Sequence, residues 1–492
     1  MIPDFRKIRL KCGLELHIQL DSKRKLFCNC LTTLEEKYPT MTITRKLHPV
    51  ASEIGKIDAA AEFEYLRNRT FHYQVFNNEV CLVELDEEPI HNLNPEALHI
   101  ALQIALLLNC EIPDEIHIMR KIVIDGSNTS GHQRTVVVGR NGWLKYGSKK
   151  IEIIQVALEE DAAAIVGGNG EEAEKENENE ATYRLNRLGV PLVEITTDVL
   201  QGYTPEQVQE IAFMIGIICR STNSVKHGIG SIRQDVNISI CNGPRVEIKG
   251  VQELGLIAKV VEKEVERQLE LKKVEHETRA ANADGTTRFT RPLPGAARMY
   301  PETDVVPISI DKKWIKEIES KLPEPWTDKL ERFEKRMKLP KELAIQIIGS
   351  DHLSLFEKIM KKYPKLNAVV VVSVFTSILK DLGRKNIDVK KLEERHFFAI
   401  FSELAKKKIV KEAIPDLLVN FVGNPDEPIP DAIKRLNLNI MKKAELQKLI
   451  VQLVADSPNT PKEKLYGIAM GRVRGRADPQ DVLKIVKRFK KK

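Results

Sequence analysis

An α+β architecture is expected, with a β-rich first part of about 310 residues and an all-helical remainder. Three observations point to it. Short stretches of alternating, β-branched residues bounded by Gly, Asn and Asp recur through the first part. Only a few helical patterns interrupt them, too few for a regular βαβ alternation. Past Pro307 these signals fade, and Leu, Ile, Lys and Glu recur at helical spacing.

The strands are expected in chain order at Lys11 to Leu20, Cys81 to Leu85, Lys121 to Ile124, Thr135 to Val138, Ile151 to Ile154, Val193 to Thr196, Asn237 to Ile240 and Val246 to Lys249. Helices are expected from Pro95 to Asn109 and from Pro205 to Arg220. Asn94 and Thr204 stand ready as N-caps, each followed by a proline. A third runs from Leu256 to Val274 and is broken by Ala283-Asp-Gly-Thr-Thr. Gly167 to Glu180 holds six Glu against one Lys and nothing apolar larger than alanine, so a solvated loop is expected there.

The 492 residues exceed what one core holds. We expect a cradle domain at 1–310, a helical domain at 311–423 and a small tail at 424–492, the last opening on the Gly- and Pro-rich Gly423-Asn-Pro-Asp-Glu-Pro-Ile-Pro. The composition, 42% hydrophobic and 30% charged with a net charge of +7, excludes a strongly acidic or histone-like chain. The start has no apolar run after its basic residues, so no secretory signal is expected. The most apolar stretch, Leu366 to Leu379, is too short and too interrupted for a membrane span, and a buried helix or strand is expected instead. Seven cysteines make no disulfide framework. Cys28 and Cys30 lie two apart, and no second pair completes a zinc site in the sequence. A cytoplasmic protein with reduced thiols is the expectation.

Chemistry is suggested at several places. Glu15 and His17 lie two apart on a probable strand, so both face one side and could share a metal. The tripeptide alone also fits a core histidine beside a surface carboxylate. Leu158-Glu-Glu-Asp161 ends another strand with three carboxylates, which must be solvated or neutralised by a cation. Glu194 sits between large apolar residues. Together, Glu15, His17, Glu160 and Glu194 make an oxygen-rich donor set suited to Mg²⁺ and nucleotide phosphates, if the fold brings them together. Asp125 to Arg134 is a polar, glycine-bounded turn that lacks a Walker ending. Arg291 to Asp304 packs prolyl turns, arginines and carboxylates into an ordered-loop candidate. Gly471 to Lys492 carries nine Lys or Arg against two Asp. Arg472, Arg474, Arg476, Lys487 and Arg488 suit a nucleic-acid backbone there, and a solvated helix end is the alternative.

Read together, these stretches resemble the GatB/GatE subunits of tRNA-dependent amidotransferases. Gly13-Leu-Glu-Leu-His-Ile-Gln-Leu with Lys25-Leu-Phe-Cys-Asn-Cys is similar to the family's opening signature. Leu158-Glu-Glu-Asp-Ala, Asn186-Arg-Leu-Gly-Val-Pro-Leu-Val-Glu-Ile, Ser231-Ile-Arg-Gln-Asp-Val-Asn-Ile-Ser and Val246-Glu-Ile-Lys-Gly follow in the family's order. Ile124-Asp-Gly-Ser-Asn-Thr-Ser-Gly and Val83-Glu-Leu-Asp-Glu-Glu-Pro favour the archaeal-type GatE branch. Gly471-Arg-Val-Arg-Gly-Arg-Ala-Asp-Pro resembles the basic motif of YqeY-like tails.

The resemblance implies a mainly antiparallel cradle related to glutamine synthetase and guanido kinases, then a helical domain and a helical tail. It implies ATP- and Mg²⁺-dependent phosphorylation of the glutamyl carboxylate of Glu-tRNA(Gln), followed by transamidation. The ammonia would come from a GatD-type amidase partner in a heterotetramer. The metal-ligand places fall to Glu15, His17, Glu159, Glu160 and Glu194. Arg120 and Lys121 match a basic pair, with Lys121 at the wall where ammonia arrives. Arg233, Asp235, Glu247, Lys249 and Arg298 fall near nucleotide or acyl phosphate, and Glu302 and Asp304 belong to the prolyl loop. Two alternatives stand: a GatB-type subunit also acting on Asp-tRNA(Asn), or a tRNA-binding chaperone without catalysis. The archaeal-type branch usually carries an insertion similar to a domain of bacterial aspartyl-tRNA synthetases before Arg291. Here only Glu275 to Thr290 bridges that gap, so the insertion is expected to be absent.

Overall fold

The computed structural model describes residues 4–33, 38–51, 55–166, 179–228, 230–295, 299–456, 460–473 and 475–489. The chain forms two compact units, Met1–Pro325 and Trp326–Lys492.

An eleven-stranded sheet organises the first unit. Its strands are β1 (Lys11–Gln19), β2 (Ile118–Ile122), β3 (His132–Tyr146), β4 (Lys149–Glu160), β5 (Pro191–Thr197) and β6 (Leu200–Gln201). They continue with β7 (Ile232–Ser239), β8 (Val246–Val251), β9 (Glu277–Ala281), β10 (Thr287–Pro292) and β11 (Met299–Pro301). The spatial order is β10-β9-β8-β7-β1-β5-β4-β3-β2-β11, with β6 also pairing β1. All pairings are antiparallel except β8 with β9. A smaller four-stranded sheet joins Met41–Arg45, Thr70–Val75, Glu180–Arg184 and Ala164–Ile165.

The sheet has two chemically opposite faces because its strands alternate. Directly opposed residues of antiparallel strands share a face. Leu14, Leu16 and Ile18 of β1, Val193 and Ile195 of β5, Leu158 of β4, Val136 of β3 and Val236 and Ile238 of β7 are buried on one side. Three helices cover that side: α1 (Pro95–Leu107) on β3 and β4, α2 (Pro205–Arg220) on β1, and α3 (Ile257–Glu270) on β7. Asn94 caps α1 by accepting from the Glu96 and Ala97 amides, and Thr204 forms a reciprocal capping box with Gln207 on α2. Gly139 lets α1 lie close to β3. A Cβ there would come within 2.9 Å of Ala105 Cβ. The other face of the sheet carries the polar partners of the same strands.

Two expectations change here. Cys81 to Leu85 is a turn, not a strand. The Glu84 carboxylate accepts from the Cys81 amide at 2.8 Å, and Glu87 N–H bonds back to the Leu82 carbonyl, so the backbone curls instead of pairing. The prolyl loop is partly sheet, since it begins in β10 and returns as β11 on the β2 edge. Glu275 to Thr290 supplies β9 and most of β10, a hairpin closed by Asn282–Thr286. Most of the acidic loop at Gly167 to Glu180, residues 167–178, lies outside the described residues.

The helix Lys312–Ser320 packs on α1, with Trp314 stacked on His99 at 6.1 Å, and so belongs to the first unit. The second unit is helical throughout its described residues. Its apolar run is the helix Ala368–Ser373, continued through a π turn at Val374–Ile378 into Leu379–Arg384. The hydroxyls of Ser373 and Thr376 return to the Val369 and Val372 carbonyls, which seats these polar groups inside an apolar helix. Among the described residues no helix is long and apolar enough to cross a membrane.

Candidate active site

The uncovered face of the sheet collects charge at its centre. β1 contributes Glu15 and His17, whose register partners are Asp235 and Arg233 on β7 and, for His17, Glu194 on β5. Glu159 stands two strands from β1, with Thr135 opposite it, and Lys121 and Gln133 face each other across β2 and β3. Glu247 lies opposite Asn237. Period-two alternation thus carries Lys121, Glu159, Glu194, His17, Glu15, Asp235 and Glu247 to one surface that spans seven neighbouring strands, from β2 to β8.

Two donor groups form on it. His17, Glu159 and Glu194 bring one ring nitrogen and two carboxylate oxygens within 4.8 Å of one another, and Glu15, Asp235 and Glu247 do the same with three carboxylates. His17 Nε2 lies 3.3 Å from Glu194. Lys121 Nζ donates to Glu159 at 2.7 Å and lies 3.6 Å from Glu194, while Gln133 donates to the other Glu159 oxygen at 3.1 Å. In the second group, Lys249 reaches Asp235 at 3.0 Å and Glu247 at 3.2 Å. Asn237 donates to Glu15, Thr278 to Glu247 and the Gly250 amide to Asp235.

Electrostatics follows from this crowding. Burial, then the neighbouring Glu194 and Glu247 carboxylates, push the Glu15 carboxyl above its ordinary range. Burial works against the His17 imidazolium, but the Glu194 and Asp235 carboxylates outweigh it and hold its pKa up. Burial would likewise raise Glu194, yet Lys121 and then His17 hold it well below the usual value. Each group has one lysine against two or three carboxylates. That surplus negative charge, in a set of hard oxygens with one imidazole, fits a divalent cation such as Mg²⁺.

Glu160 stands apart from these groups. Consecutive strand residues point to opposite faces, so its carboxylate turns away from Glu159 and accepts from the Arg134 amide at 3.1 Å and its guanidinium at 3.3 Å. The expectation of Glu160 as a ligand beside His17 is corrected in favour of Glu159. Arg134 also binds Glu302 at 2.7 Å, and Arg120 binds both Glu302 and, at 3.2 Å, Asp304. Arg120, Glu302 and Asp304 therefore form an ion cluster that ties the β11 end to β2 and β3. Arg233 reaches Asp161 at 2.8 Å. Asp161 is 1% exposed, and although burial opposes its charge, Arg233 and Arg187 hold its pKa down. Arg298 and Arg474 lie outside the described residues. In the second unit, Arg472, Lys487 and Arg488 are exposed, and Arg476 lies 3.7 Å from Glu445.

Sequence reasoning missed a cavity of about 630 Å³ that shares Lys249 and Thr278 with the second carboxylate group and is lined by Arg67, Arg69, Arg288 and Arg291 together with Glu64, 3.3 Å from Arg67, and Asp125, 3.5 Å from Arg291. These arginines come from two separate segments, 67–69 and 288–291, and only Arg291 belongs to a stretch that the sequence marks. Sequence reasoning also missed the gathering of Cys28 and Cys30 with Cys81 and Glu84, whose ligand atoms lie within 4.8 Å of one another. Cys81-x-x-Glu84 was the available signal, a ligand-like spacing hidden by its glutamate.

Residues 10–316 match the GatB/GatE catalytic domain and residues 354–489 the GatB domain. The E subunit of the glutamyl-tRNA(Gln) amidotransferase of Methanocaldococcus jannaschii is 36% identical over 633 aligned positions that cover 99% of each chain. The proteins of the same name from Pyrobaculum calidifontis and Saccharolobus solfataricus are 33% and 32% identical, over 97% and 98% of this chain and 98% of each of theirs. The aligned positions outnumber the 492 residues here, so these relatives carry a long stretch with no counterpart in this chain.

Proposed function

The chain belongs to the GatB/GatE family, and on that premise we propose that it is an amidotransferase subunit that converts Glu-tRNA(Gln) to Gln-tRNA(Gln) using ATP. The observation that carries this reading is the single polar sheet face, which gathers two carboxylate groups, the second of them adjoining an arginine-lined cavity. The glutamyl carboxylate attacks the γ-phosphorus of ATP and ADP leaves. Ammonia then attacks the acyl carbon and inorganic phosphate leaves.

Each step places a demand that residues of this chain can meet. Arg67, Arg69, Arg288 and Arg291, with Lys249, outnumber Glu64 and Asp125 in the cavity and so give a polyanionic triphosphate an electropositive seat. Lys249, held between Asp235 and Glu247, sits where that cavity meets the carboxylates. His17, Glu159 and Glu194, with Glu15, Asp235 and Glu247, would hold Mg²⁺, which when bound offsets the repulsion between two anionic reactants. Lys121 holds Glu159 in place at the opposite end of the row, where we place the arrival of ammonia. Arg233 is kept on Asp161 and acts at the rim of the site.

The reading extends to partners. A GatD-type amidase supplies the ammonia in a heterotetramer, in line with the relatives' being named as one subunit of a larger amidotransferase. Residues 424–492 form a tail that holds the tRNA backbone. This division is supported by a core built wholly within those residues, from Met441 to Val486. Exposed Arg472, Lys487 and Arg488 offer it phosphate contacts.

The test is ATP hydrolysis by the chain with its amidase. Glu-tRNA(Gln) is expected to stimulate it and deacylated tRNA(Gln) is not. Equal rates with both tRNAs would sink the kinase reading and favour a binding role, and stimulation by Asp-tRNA(Asn) would assign a GatB-type specificity.

A further inference from the structure

We propose that a second cavity, at the Gln19 end of β1, seats the aminoacylated 3′-terminal nucleotide of the tRNA, with Lys226 and Arg187 toward its phosphate and the glutamyl side chain running back along β1 to His17. The inference rests on the reading above and adds where the second substrate lies. The cavity measures about 540 Å³, and Gln19, Asp21, Thr33, Arg187, Lys226 and Ser231 are among the residues that line it. It is distinct from the arginine-lined cavity. Ala164 lines one and Ile165 the other, so this two-residue strand of the small sheet stands as a partition between them.

Its position ties the cavity to the polar face. Gln19 follows Glu15 and His17 at a spacing of two, so it shares their side of the sheet. A strand rises about 3.4 Å per residue, which puts Gln19 about 7 Å along β1 from His17. Arg233, the register partner of His17, is held next to Gln19 because both side chains donate to buried Asp161. The Gln19 amide donates to the Ser231 carbonyl at 3.0 Å, and the Lys226 amide donates to the Gln19 carbonyl at 2.9 Å. The cavity wall is thus pinned to the end of β1.

The span fits one substrate. From its ester oxygen to its side-chain carboxyl carbon a glutamyl group has five bonds of about 1.5 Å, and it extends about 6 Å. A ribose seated at Gln19 therefore presents the carboxylate at His17 and the donor groups, with the triphosphate arriving from the other cavity. An aspartyl group has one bond fewer and stops about 1 Å short, a misplacement that can cost about 10²-fold in rate. Charge agrees with size. Lys226 and Arg187 stand against Asp21, the one carboxylate among the described lining residues, which offers a counter-charge to the α-ammonium of the ester. That balance suits a single phosphodiester, whereas the other cavity carries four arginines. The Lys226 ammonium donates to the Thr32 carbonyl at 2.6 Å, and Arg187 is fixed by the Ala162 and Ala163 carbonyls at 2.7 and 2.9 Å. Burial lowers the Lys226 pKa against the pull of Asp21 and Asp161, so an arriving phosphate relieves a poorly solvated cation.

The test is steady-state transamidation by the full chain with its amidase, varying Glu-tRNA(Gln) and ATP separately. Lys226→Met should raise KM for Glu-tRNA(Gln) about 10-fold, the weight of one charge-assisted contact, and leave KM for ATP within about twofold. Thr33→Tyr, which places a ring at the exposed mouth of the cavity, should produce the same split. A hydrolysis-resistant probe, 3′-glutamylamino-3′-deoxyadenosine 5′-phosphate, should compete with Glu-tRNA(Gln) and not with ATP. Competition with ATP instead overturns the proposal, as does an unchanged KM for Glu-tRNA(Gln) in both variants. Should Lys226→Met fail to fold, Thr33→Tyr and the probe decide alone. The parent chain separates the two levels of inference. If its ATP hydrolysis ignores Glu-tRNA(Gln), the kinase reading falls and this site with it. If the parent is stimulated and the variants match it, this site alone falls.

Discussion

Glu159 and Glu160 are adjacent on one strand and belong to different parts of the molecule. Glu159 meets Lys121 and lies with His17 and Glu194, whereas Glu160 meets Arg134 beneath the sheet. Glu159→Gln is expected to lower kcat by about 10² or more, the scale on which one preorganised electrostatic contact counts, with circular dichroism unchanged. Glu160→Gln should leave kcat near the parent value, and a steady-state transamidation assay on both variants checks the pair. A sequence shows both carboxylates but not their facing, because a run of three acids offers both parities to either side. Glu15 and His17 were legible for the opposite reason, since residues two apart in an alternating stretch share a face wherever the strand ends up. Cys81 illustrates the limit. Its partners lie some fifty residues away, and chain spacing carries no information about which turn returns to which.

At the level of elements, helices with strong end signals were readable almost to the residue. α2 runs from Pro205 to Arg220 as its Thr204 cap and following proline require. The Cys81 to Leu85 stretch misled because alternation alone does not distinguish a strand from a turn whose side chain captures its own backbone. β11 depends on a different device. This three-residue edge strand is followed by Glu302, whose side chain is 0% exposed and bound by both Arg120 and Arg134. Burial opposes the Glu302 charge, but hydrogen bonds from the two arginines outweigh it and draw its pKa down to about 2. The folded chain therefore holds this proton less readily than the unfolded one. The contribution is present above the ordinary value of 4.5 and is lost as pH falls toward about 2. Glu302→Gln should cost about 1–3 kcal/mol at neutral pH, since it removes the carboxylate shared by buried Arg134 and half-buried Arg120 and leaves them only Glu160 and Asp304. The penalty relative to the parent should shrink on acidification, as urea unfolding curves at several pH values will show.

For the whole molecule, the helix-covered and open sides of the great sheet do different work. One side is mainly hydrocarbon, apart from the Glu160–Arg134 pair, and holds the first unit together. The other gathers like charges at close range, an arrangement that folding does not favour. The seat of the chemistry is in this sense a debt carried by the rest of the fold, and relieving it should strengthen the protein while silencing it. Glu15 shows the sign, because its raised pKa means that the ionised side chain is less comfortable in the folded chain than in the unfolded one. Without divalent cation, Glu15→Gln should melt about 1–2 °C higher than the parent, the shift that about 1 kcal/mol makes in a chain of this size, and should lose transamidation. A lower melting temperature would contradict this. A lineage selected only for durability would erode this face first, and a lineage that keeps it is being held there by its reaction.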